Sequence, residues 1–465
     1  MSNLTLAIPG FATFFATCLL GSFLYFTPPS SSWYALLPCA LAALSFLIVT
    51  RQLNWRCAVA QLAAAATVTI GVIFLIWPAG NDPASADDAG LTTVKLDIPN
   101  ALTNVVKPAP HSLQAIPGLK ISVFAAGLQA PRMLAFSSDG DLYVSLPHAG
   151  QVGVLPDRNG DGVADRLVVF ADGLKRPHGL AFDGRDLVVA EKARLIRLPD
   201  KNGDLRADRI EIISTDLPSG SGHWTRSVIV GSEGDFFVAA GSSCNVCIEK
   251  DPRRAAILRI PYSGGPANIY ARGLRNSVGL ALHPETGELW ASDNGRDRLG
   301  DDLPPEEINR IVADGDYGWP FCYGQRIPDP NFGNNERCRQ TLPPEVDMQA
   351  HSAPLGIAFG RGLDFPGAYR DMLFVAFHGS WNRTVPTGYK LVGIPFSNGR
   401  PSGPPQDIVR GWLQGRTAWG RPVGPAVGPD GALYLSDDRA GFIYRITMRT
   451  GADKVQGGAR QELTH

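Results

Sequence analysis

The chain has 465 residues, enough for one large domain with additional segments. Its formal net charge of −1 at pH 7 gives no reason to expect a nucleic-acid partner. The 51 glycines and 37 prolines are typical of a chain with many tight turns rather than long helices.

The N-terminal part contains three apolar stretches, over residues 5–26, 33–50 and 57–78. Each is long enough to cross a hydrocarbon core of about 30 Å. A cleaved signal peptide would instead need a basic start and a single shorter apolar stretch. We therefore expect about three transmembrane helices within residues 1–80, followed by a polar linker over residues 81–115.

The charges between these stretches predict an orientation. Arg51 and Arg56 lie between the second and third stretches, and the positive-inside rule places such a loop in the cytoplasm. The third helix would then run outward. The sequence thus predicts a multi-pass protein in the lipid bilayer of a bacterial inner membrane, with its catalytic domain in the periplasm.

Four cysteines follow the apolar stretches: Cys244, Cys247, Cys322 and Cys338. An even number in an oxidising compartment predicts two disulfides, naturally Cys244–Cys247 and Cys322–Cys338. A redox motif at Cys244-x-x-Cys247 is the alternative, although no βαβ pattern surrounds it. Zinc would need a second such motif or paired histidines.

The rest of the chain repeats one pattern, in which a polar lead precedes an apolar strand, a Gly/Asp turn and a second apolar strand. Six segments follow it, beginning at Pro131, Pro177, Arg226, Asn276, Ala353 and Arg421. Short strands that repeat every ~45–75 residues are typical of propellers. We predict an all-β fold, a six-bladed β-propeller preceded by N-terminal transmembrane helices, with the propeller over residues 116–450 and a tail over 451–465.

The residues that lead into the inner strands are expected to line the mouth of the propeller axis. They are Arg132, His178, His223, Arg275 with Asn276, His351 and Arg421. Cations and imidazoles that converge in this way are costly unless they face an anion. Each could instead pair with a neighbouring carboxylate, but six on one funnel favour an anionic ligand.

Several long segments resemble a known family. HWTRSVIVGSEG, YARGLRNSVGLALHPETGELWASDNGRD, EEINRI, DYGWPFCYG and HGSWNR are similar to the pyrroloquinoline quinone (PQQ)-dependent sorbosone, pyranose and soluble glucose dehydrogenases. The resemblance covers about residues 115–448, and the membrane segment makes the membrane-bound sorbosone dehydrogenases the most similar group. It implies an enzyme that oxidises a sugar or aldose, transfers hydride to PQQ, and passes electrons to a membrane quinone or another respiratory acceptor.

The resemblance also implies roles for individual residues. His223 matches the family's general base, and Arg275 with Asn276 matches the pair that contacts the quinone, with Arg275 in a catalytic position. Arg421 matches the arginine that meets a quinone carboxylate. A catalytic Ca²⁺ would be held by backbone carbonyls at Gly295 and Arg296.

One position departs from the family pattern. Soluble glucose dehydrogenases have a quinone-contacting lysine after a blade-five strand, whereas His378 occupies this position here. Arg383 or Lys390 is the alternative contact. Arg132 and His178 complete the predicted cofactor-binding set, and the family's sugar contacts are not recognisable.

Two acidic loops have two interpretations. DRNGDGVAD (157–165) and DKNGDLRADRIE (200–211) resemble calcium loops, but Asp/Asn/Gly turns between strands explain the same residues.

Two rival functions stay open: a calcium-dependent lactonase, and a propeller that only binds a ligand. A lactonase would hold its metal at the axis with acidic and amide side chains, whereas these leads are Arg and His.

Overall fold

The computed structural model describes residues 90–106 and 111–448. The first half of this region forms fifteen strands and one 3₁₀ turn, Asn100–Leu102. The strands are β1 (Thr92–Lys95), β2 (Ser112–Ala115), β3 (Leu119–Ala125), β4 (Leu134–Phe136), β5 (Leu142–Leu146), β6 (Gln151–Leu155), β7 (Val168–Ala171), β8 (Gly179–Asp183), β9 (Asp186–Ala190), β10 (Leu195–Leu198), β11 (Glu211–Ser214), β12 (Val228–Val230), β13 (Phe236–Ala240), β14 (Ala256–Ile260) and β15 (Asn268–Arg272).

The second half contains further strands and two short helices, α1 (Asn335–Gln340) and α2 (Gly367–Arg370). The strands are β16 (Ser277–Leu282), β17 (Leu289–Asp293), β18 (Glu306–Ile311), β19 (Gly315–Asp316), β20 (Cys322–Tyr323), β21 (Ile327–Pro328), β22 (Val346–Met348), β23 (Pro354–Phe359), β24 (Met372–Phe377), β25 (Lys390–Ser397), β26 (Arg400–Pro401), β27 (Gln406–Arg410), β28 (Leu413–Gln414), β29 (Thr417–Ala418), β30 (Pro422–Val427), β31 (Leu433–Asp437) and β32 (Phe442–Met448).

Five sheets, antiparallel except for the pairing of β15 with β19, follow one another along the chain, and we call them blades 1 to 5. Blades 1 and 2 are β4–β7 and β8–β11, blade 3 is β12–β15 with β19 at its edge, and blade 4 is β16–β18 with β22. Blade 5 is β23, β24, β25 and β27, extended outward by β2 and β1. A further sheet, the closing sheet, joins β30, β31 and β32 to β3 from the beginning of the domain. Pairing of β3 with β32 therefore closes the domain without a covalent link.

The inner strands form a ring around one axis. β4, β8, β12, β16, β23 and β30 contact one another in this order, and β30 contacts β4. Glycine allows the close approach: a Cβ on Gly179 would lie 2.5 Å from the Val228 backbone N, and one on Gly279 would lie 2.4 Å from the Leu355 carbonyl O. Any side chain at either position would push neighbouring inner strands apart.

The second strand of most blades is buried throughout. Every residue of β5, β17, β24 and β31 is buried, because sheets cover both faces of these strands. Strands in this position become continuous apolar runs instead of alternating patterns. This accounts for sequences such as LYVSL and MLFVAF.

The predicted fold class is corrected in two respects. Six equivalent blades were expected, one from each repeat, whereas five blades are built from successive strands and the closing sheet combines strands from both ends of the domain. The prediction of N-terminal transmembrane helices is not supported, because no helix among the described residues is long and apolar enough to span a membrane. The three predicted spans lie outside the described residues.

The predicted membrane location depended on those helices. A multi-pass protein of the inner membrane, with the lipid bilayer as partner and a periplasmic catalytic domain, was inferred from the apolar stretches and the two arginines between them. Since the structure provides no membrane-spanning helix in residues 90–106 or 111–448, this prediction is withdrawn.

Both predicted disulfides are present, Cys244–Cys247 and Cys322–Cys338. The first pairing accounts for the Cys-x-x-Cys spacing.

We expect the Cys322–Cys338 bridge to stabilise the fold. Its cysteines are 16 positions apart, and closing a loop of about this length contributes about 3 kcal/mol. The Cys322→Ser/Cys338→Ser variant should therefore lose about this much free energy of unfolding in urea titrations. The Cys244→Ser/Cys247→Ser variant, which opens a shorter loop, should lose less. Equal stability of the first variant and the parent chain would contradict the expectation.

Candidate active site

Three of the lead residues, Arg275, Asn276 and Arg421, are bound through their backbone N–H groups by buried carboxylates at the ends of second strands. Antiparallel pairing brings the start of an inner strand to the end of the next strand, as in Ser277 opposite Asp293. Asp293 accepts the backbone N–H groups of Arg275 (3.0 Å) and Asn276 (2.8 Å). Asp437 accepts the backbone N–H of Arg421 at 2.8 Å. The repeated Ser-Asp in WASDN and YLSDD is the sequence signal for this arrangement.

His223 is held in one tautomer by Ser242. Its Nδ1 lies 3.1 Å from the Ser242 carbonyl O and 3.0 Å from Ser242 Oγ. Because Ser242 Oγ donates its own hydrogen to the Cys244 carbonyl at 2.6 Å, it accepts from the ring, so Nδ1 carries the proton. Nε2 then presents a lone pair and makes no hydrogen bond with the described part of the chain.

The electrostatic surroundings keep His223 neutral. Burial, and next the charge of Arg275, lower the pKa of His223 to about 3. Over the neutral pH range the imidazole is therefore the free base, as a proton acceptor at Nε2 requires.

Two buried arginines fix the backbone that carries His223. Arg226 donates to the His223 carbonyl at 3.2 Å. Arg254 donates to the carbonyls of Ser221 (2.9 Å), His223 (3.3 Å) and Ser242 (2.7 Å). Neither forms an ion pair with the residues that the structure describes. We did not predict either residue from the sequence, because no local pattern marks contacts made only through carbonyls.

Arg275 directs all its donors into the protein. Nε donates to the Asn245 carbonyl (2.9 Å), Nη1 to the carbonyls of Asn294 (3.1 Å) and Gly295 (2.7 Å), and Nη2 to Asn245 Oδ1 (2.9 Å) and Asp297 Oδ2 (3.2 Å). The guanidinium thus joins the loops that follow β13 and β17. Its predicted contact with a quinone stays a prediction, since these hydrogen bonds use every N–H direction.

Asn276 lies beside His223. Gly241 separates the two side chains: a Cβ there would lie 2.5 Å from Asn276 Oδ1 and 2.7 Å from His223 Cβ. Asn276 Oδ1 is buried and has no hydrogen-bond partner among the described residues. The fold therefore brings the predicted base and a predicted cofactor contact together.

Asp438 joins two of the predicted cofactor contacts. It accepts from Arg132 at 2.7 Å and lies 2.9 Å from His378 Nε2. Burial lowers the pKa of His378 to about 4, although the Asp438 hydrogen bond opposes this. Burial alone would raise the pKa of Asp438, but His378 and Arg132 hold it below its usual range. For Arg132, the carboxylate-pairing alternative is what the structure shows, and Asp438 was not predicted from the sequence.

We expect Asp438→Asn to destabilise the domain. Removing one partner of a buried ion pair costs about 3–5 kcal/mol, and the 17% exposure of the Asp438 side chain reduces this to about 2–3 kcal/mol. Urea denaturation measures the loss. Asp139→Asn breaks an exposed pair with Arg185 and should change stability by less than about 0.5 kcal/mol. Equal losses in both variants would contradict the expected role of Asp438.

Arg421 has no carboxylate partner among the described residues. Nε donates to the His378 carbonyl at 3.0 Å and Nη2 to the Gly379 carbonyl at 2.6 Å. Its guanidinium carbon lies 5.4 Å from the centre of the Tyr389 ring, and Nη1 makes no hydrogen bond in the described chain. The positive charge of Arg421 is therefore available to an anionic ligand.

His178 is fully buried, and neither ring nitrogen has a partner within hydrogen-bonding geometry among the described residues. Burial and the charge of Arg132 lower its pKa well below the usual value. Its ring packs edge-on with that of Trp224, and the guanidinium carbons of Arg176 and Arg132 lie 4.6 Å and 6.0 Å from the Trp224 ring centre. His351 is engaged elsewhere, with Nε2 2.8 Å from the Gly300 carbonyl.

The two alternatives to His378 have other partners. Lys390 pairs with Asp407 at 2.6 Å. Arg383 pairs with Asp302 at 2.9 Å and donates to the Asp301 carbonyl. His378 also has a partner, Asp438, so which residue contacts the quinone at this position stays a prediction.

Buried acids surround the predicted Ca²⁺ loop. A cleft beside it is lined by Arg275, Asp293, Gly295, Arg296 and Glu307, among others. Burial raises the pKa of Asp293 to about 7 and that of Glu307 to about 8. Both acids already accept hydrogen bonds within the chain, Asp293 from Arg275 N and Asn276 N, and Glu307 from Gly324 N. The backbone carbonyl oxygens of the loop are the ligand type that suits a hard divalent cation. The assignment of Gly295 and Arg296 as ligands stays a prediction.

The two acidic loops are closed by their own backbone. Asp157 accepts from the N–H groups of Gly160 and Gly162, and Asp200 accepts from those of Gly203 and Leu205. In the described residues, the one group of three ligand-type side chains close enough for a metal is Cys244, Cys247 and Glu249, of which the cysteines form a disulfide. These contacts correspond to the turn interpretation of both loops.

Comparison with known proteins places this geometry in a family. The family model described as TrAA12-like matches residues 113–449. The chain belongs to the TrAA12-like family. This confirms the resemblance to PQQ-dependent sugar dehydrogenases and, at the level of the family, the predicted oxidoreductase class and the predicted cofactors PQQ and Ca²⁺.

The TrAA12-like chain has low sequence identity to the individual relatives described below. It is 25% identical to a PQQ-dependent sugar dehydrogenase of Hypocrea jecorina over 77% of this chain and 94% of that protein. It is 23% identical to the PQQ-dependent pyranose dehydrogenase of Coprinopsis cinerea over 74% of this chain, and spans 56% of that longer protein. The calcium structure of a Trichoderma reesei AA12 enzyme has the same fold, with a TM-score of 0.65 and 24% identity over 74% of this chain and 99% of that one.

Proposed function

We propose that this chain is a PQQ-dependent dehydrogenase that oxidises a sugar or aldose at the mouth of the propeller axis. The observation that carries the proposal is His223, a neutral imidazole with its Nε2 lone pair free, next to Asn276 and surrounded by arginines. A base of this kind removes the proton of a substrate hydroxyl during oxidation. The electron acceptor that we expect is a quinone or another component of a respiratory chain.

Polar groups without partners in the described residues fit an anionic, many-oxygen cofactor. PQQ carries three carboxylates. Arg421 offers a guanidinium bound only to carbonyls, and Arg132 Nε and Asn276 Oδ1 are buried without a hydrogen-bond partner. Guanidinium groups bind carboxylates strongly because two N–H groups align with two oxygens.

The protein residues have separate roles in the proposed reaction. When bound, PQQ supplies the hydride acceptor and Ca²⁺ supplies Lewis acidity. His223 Nε2 takes the hydroxyl proton, and Ser242 keeps the tautomer that makes this possible. Arg226 and Arg254 keep the His223 backbone in place through its carbonyl.

The rim also suits a sugar. Trp381 is 71% exposed, an unusual position for so large an apolar side chain. Its neighbour Asn382 donates to Asp297, the partner of Arg275, so the exposed ring is fixed close to the site. Aromatic faces at such sites pack against the apolar faces of ligands while polar groups select orientation.

A substrate panel tests the proposal. The purified chain is incubated with Ca²⁺ and PQQ, and reduction of an artificial electron acceptor is followed with a series of aldoses and sorbosone. We expect turnover only when PQQ is present. Hydrolysis of a lactone without dye reduction would support the lactonase instead, and neither activity would favour a binding protein.

A further inference from the structure

The Cys244–Cys247 disulfide closes a short loop that contacts the candidate site through Asn245. The Asn245 carbonyl accepts from Arg275 Nε at 2.9 Å, and its Oδ1 accepts from Arg275 Nη2 at 2.9 Å. The same Oδ1 accepts from the Asp297 backbone N at 2.8 Å, and Nδ2 donates to the Asp297 carbonyl at 3.1 Å. Asn245 therefore binds Arg275 and both backbone groups of Asp297.

Arg275 and Asp297, the partners of Asn245, belong to the candidate site. Asp297 directly follows Gly295 and Arg296, the predicted cation ligands, and its carboxylate pairs with Arg275. Ser242, just before the loop, orients His223. One loop thus joins the backbone next to the base to the segment proposed to hold the cation.

The loop is closed at two points. The disulfide joins Cys244 to Cys247, and Glu249 accepts from the Ser243 backbone N at 2.6 Å and from Ser243 Oγ at 2.7 Å. Closing a chain segment in this way removes conformations in which Asn245 would leave its partners.

We propose that Asn245 is a positioning residue, held by the Cys244–Cys247 loop, which orients Arg275 and the 295–297 segment for the bound cofactor and cation. This inference rests on the proposed function. Asn245 touches neither substrate nor cofactor in this account; it acts through Arg275 and Asp297.

Asn245→Ala in the full chain tests the proposal with two readouts. Hydrogen exchange of the Asp297 amide should become at least 10-fold faster, because this N–H loses its acceptor. PQQ titration in saturating Ca²⁺, followed by tryptophan fluorescence, should give a dissociation constant at least 10-fold higher. Asn245→Asp keeps the Oδ1 acceptor and should restore much of the protection and affinity. Asn268→Ala, an exposed asparagine in the same blade, is the matched control and should change neither.

Reduction of the Cys244–Cys247 disulfide is a second, independent test of the proposal. A dithiol such as dithiothreitol breaks the S–S bond by giving it two electrons and two protons, forming two thiols and becoming a cyclic disulfide itself. Faster exchange at Asp297 after reduction is expected in the Cys322→Ser/Cys338→Ser variant, where Cys244–Cys247 is the only disulfide among the described residues. The Cys244→Ser/Cys247→Ser variant should show the faster exchange without reductant.

The outcomes separate the two proposals. If the parent chain binds PQQ and Asn245→Ala binds it equally well with unchanged Asp297 exchange, the positioning role is refuted and the proposed function stands. If the parent chain does not bind PQQ, the proposed function fails. The exchange data then still decide whether Asn245 holds the 295–297 segment.

Discussion

Replacing His223 with alanine should lower kcat at least about 100-fold, the usual contribution of a general base. The Nε2 lone pair is the proton acceptor in the proposal, and Asp293, the carboxylate beside Asn276, already accepts hydrogen bonds from Arg275 N, Asn276 N and Ser277 Oγ. PQQ affinity should change little, since the ring makes its hydrogen bonds to Ser242 and not to a ligand group.

The rate of dye reduction at saturating substrate measures kcat, and PQQ titration of the same variant measures its affinity for the cofactor. His148→Ala, an exposed histidine on blade 1, is the control for loss of an imidazole. Near-parent turnover in His223→Ala would remove His223 from the mechanism.

The pH dependence follows from the same surroundings. A lowered pKa keeps the base form present as pH falls, so turnover limited by His223 should be lost only as pH approaches about 3, well below the 6.5 of an ordinary histidine.

Replacing Arg421 with alanine should weaken PQQ binding by about 1.5–3 kcal/mol, the range for hydrogen bonds to charged groups. This corresponds to a dissociation constant about 10–150-fold higher. The side chain has only carbonyl partners, from His378 and Gly379, so a ligand carboxylate would be its first anionic contact in the described chain.

The matched control is Arg439→Ala, which removes an exposed arginine from the same sheet and changes net charge equally. Arg275→Ala should also weaken PQQ binding, by releasing the two loops that its guanidinium joins. It should also lower the free energy of unfolding, because five hydrogen bonds between loops are lost. Unaltered titration curves for both Arg421→Ala and Arg275→Ala would contradict the proposed pocket.

The sequence predicted the parts of this site that repeat. Each lead lies at a fixed place before an apolar strand, so Arg275, Asn276 and Arg421 were found from one pattern, and the disulfides from an even cysteine count. The repeats did not show that β3, far away in the chain, would complete the last sheet with β32. The apolar/polar alternation of LKISV is typical of a strand but does not indicate which strand it pairs with.

Two of the residues that were not predicted, Asp438 and Asn245, bind partners that are distant in the chain. Arg132 and Asp438 are 306 positions apart, and Asn245 lies 52 positions from Asp297. No periodicity links such pairs; they meet because the ring of inner strands closes. The charge at the axis mouth was also predicted wrongly, since Asp438 compensates Arg132, whereas Arg421 has no carboxylate partner in the described chain.

Direct titration of the purified chain tests whether the axis mouth binds PQQ for sugar oxidation. With Ca²⁺ present, stepwise addition of PQQ should quench tryptophan fluorescence to a saturating 1:1 end point, and the resulting complex should reduce a dye only when an aldose is added. Arg421→Ala should shift the titration to higher PQQ concentrations. A chain that shows no saturable PQQ binding with Ca²⁺, while its unfolding in urea is cooperative, would contradict the account.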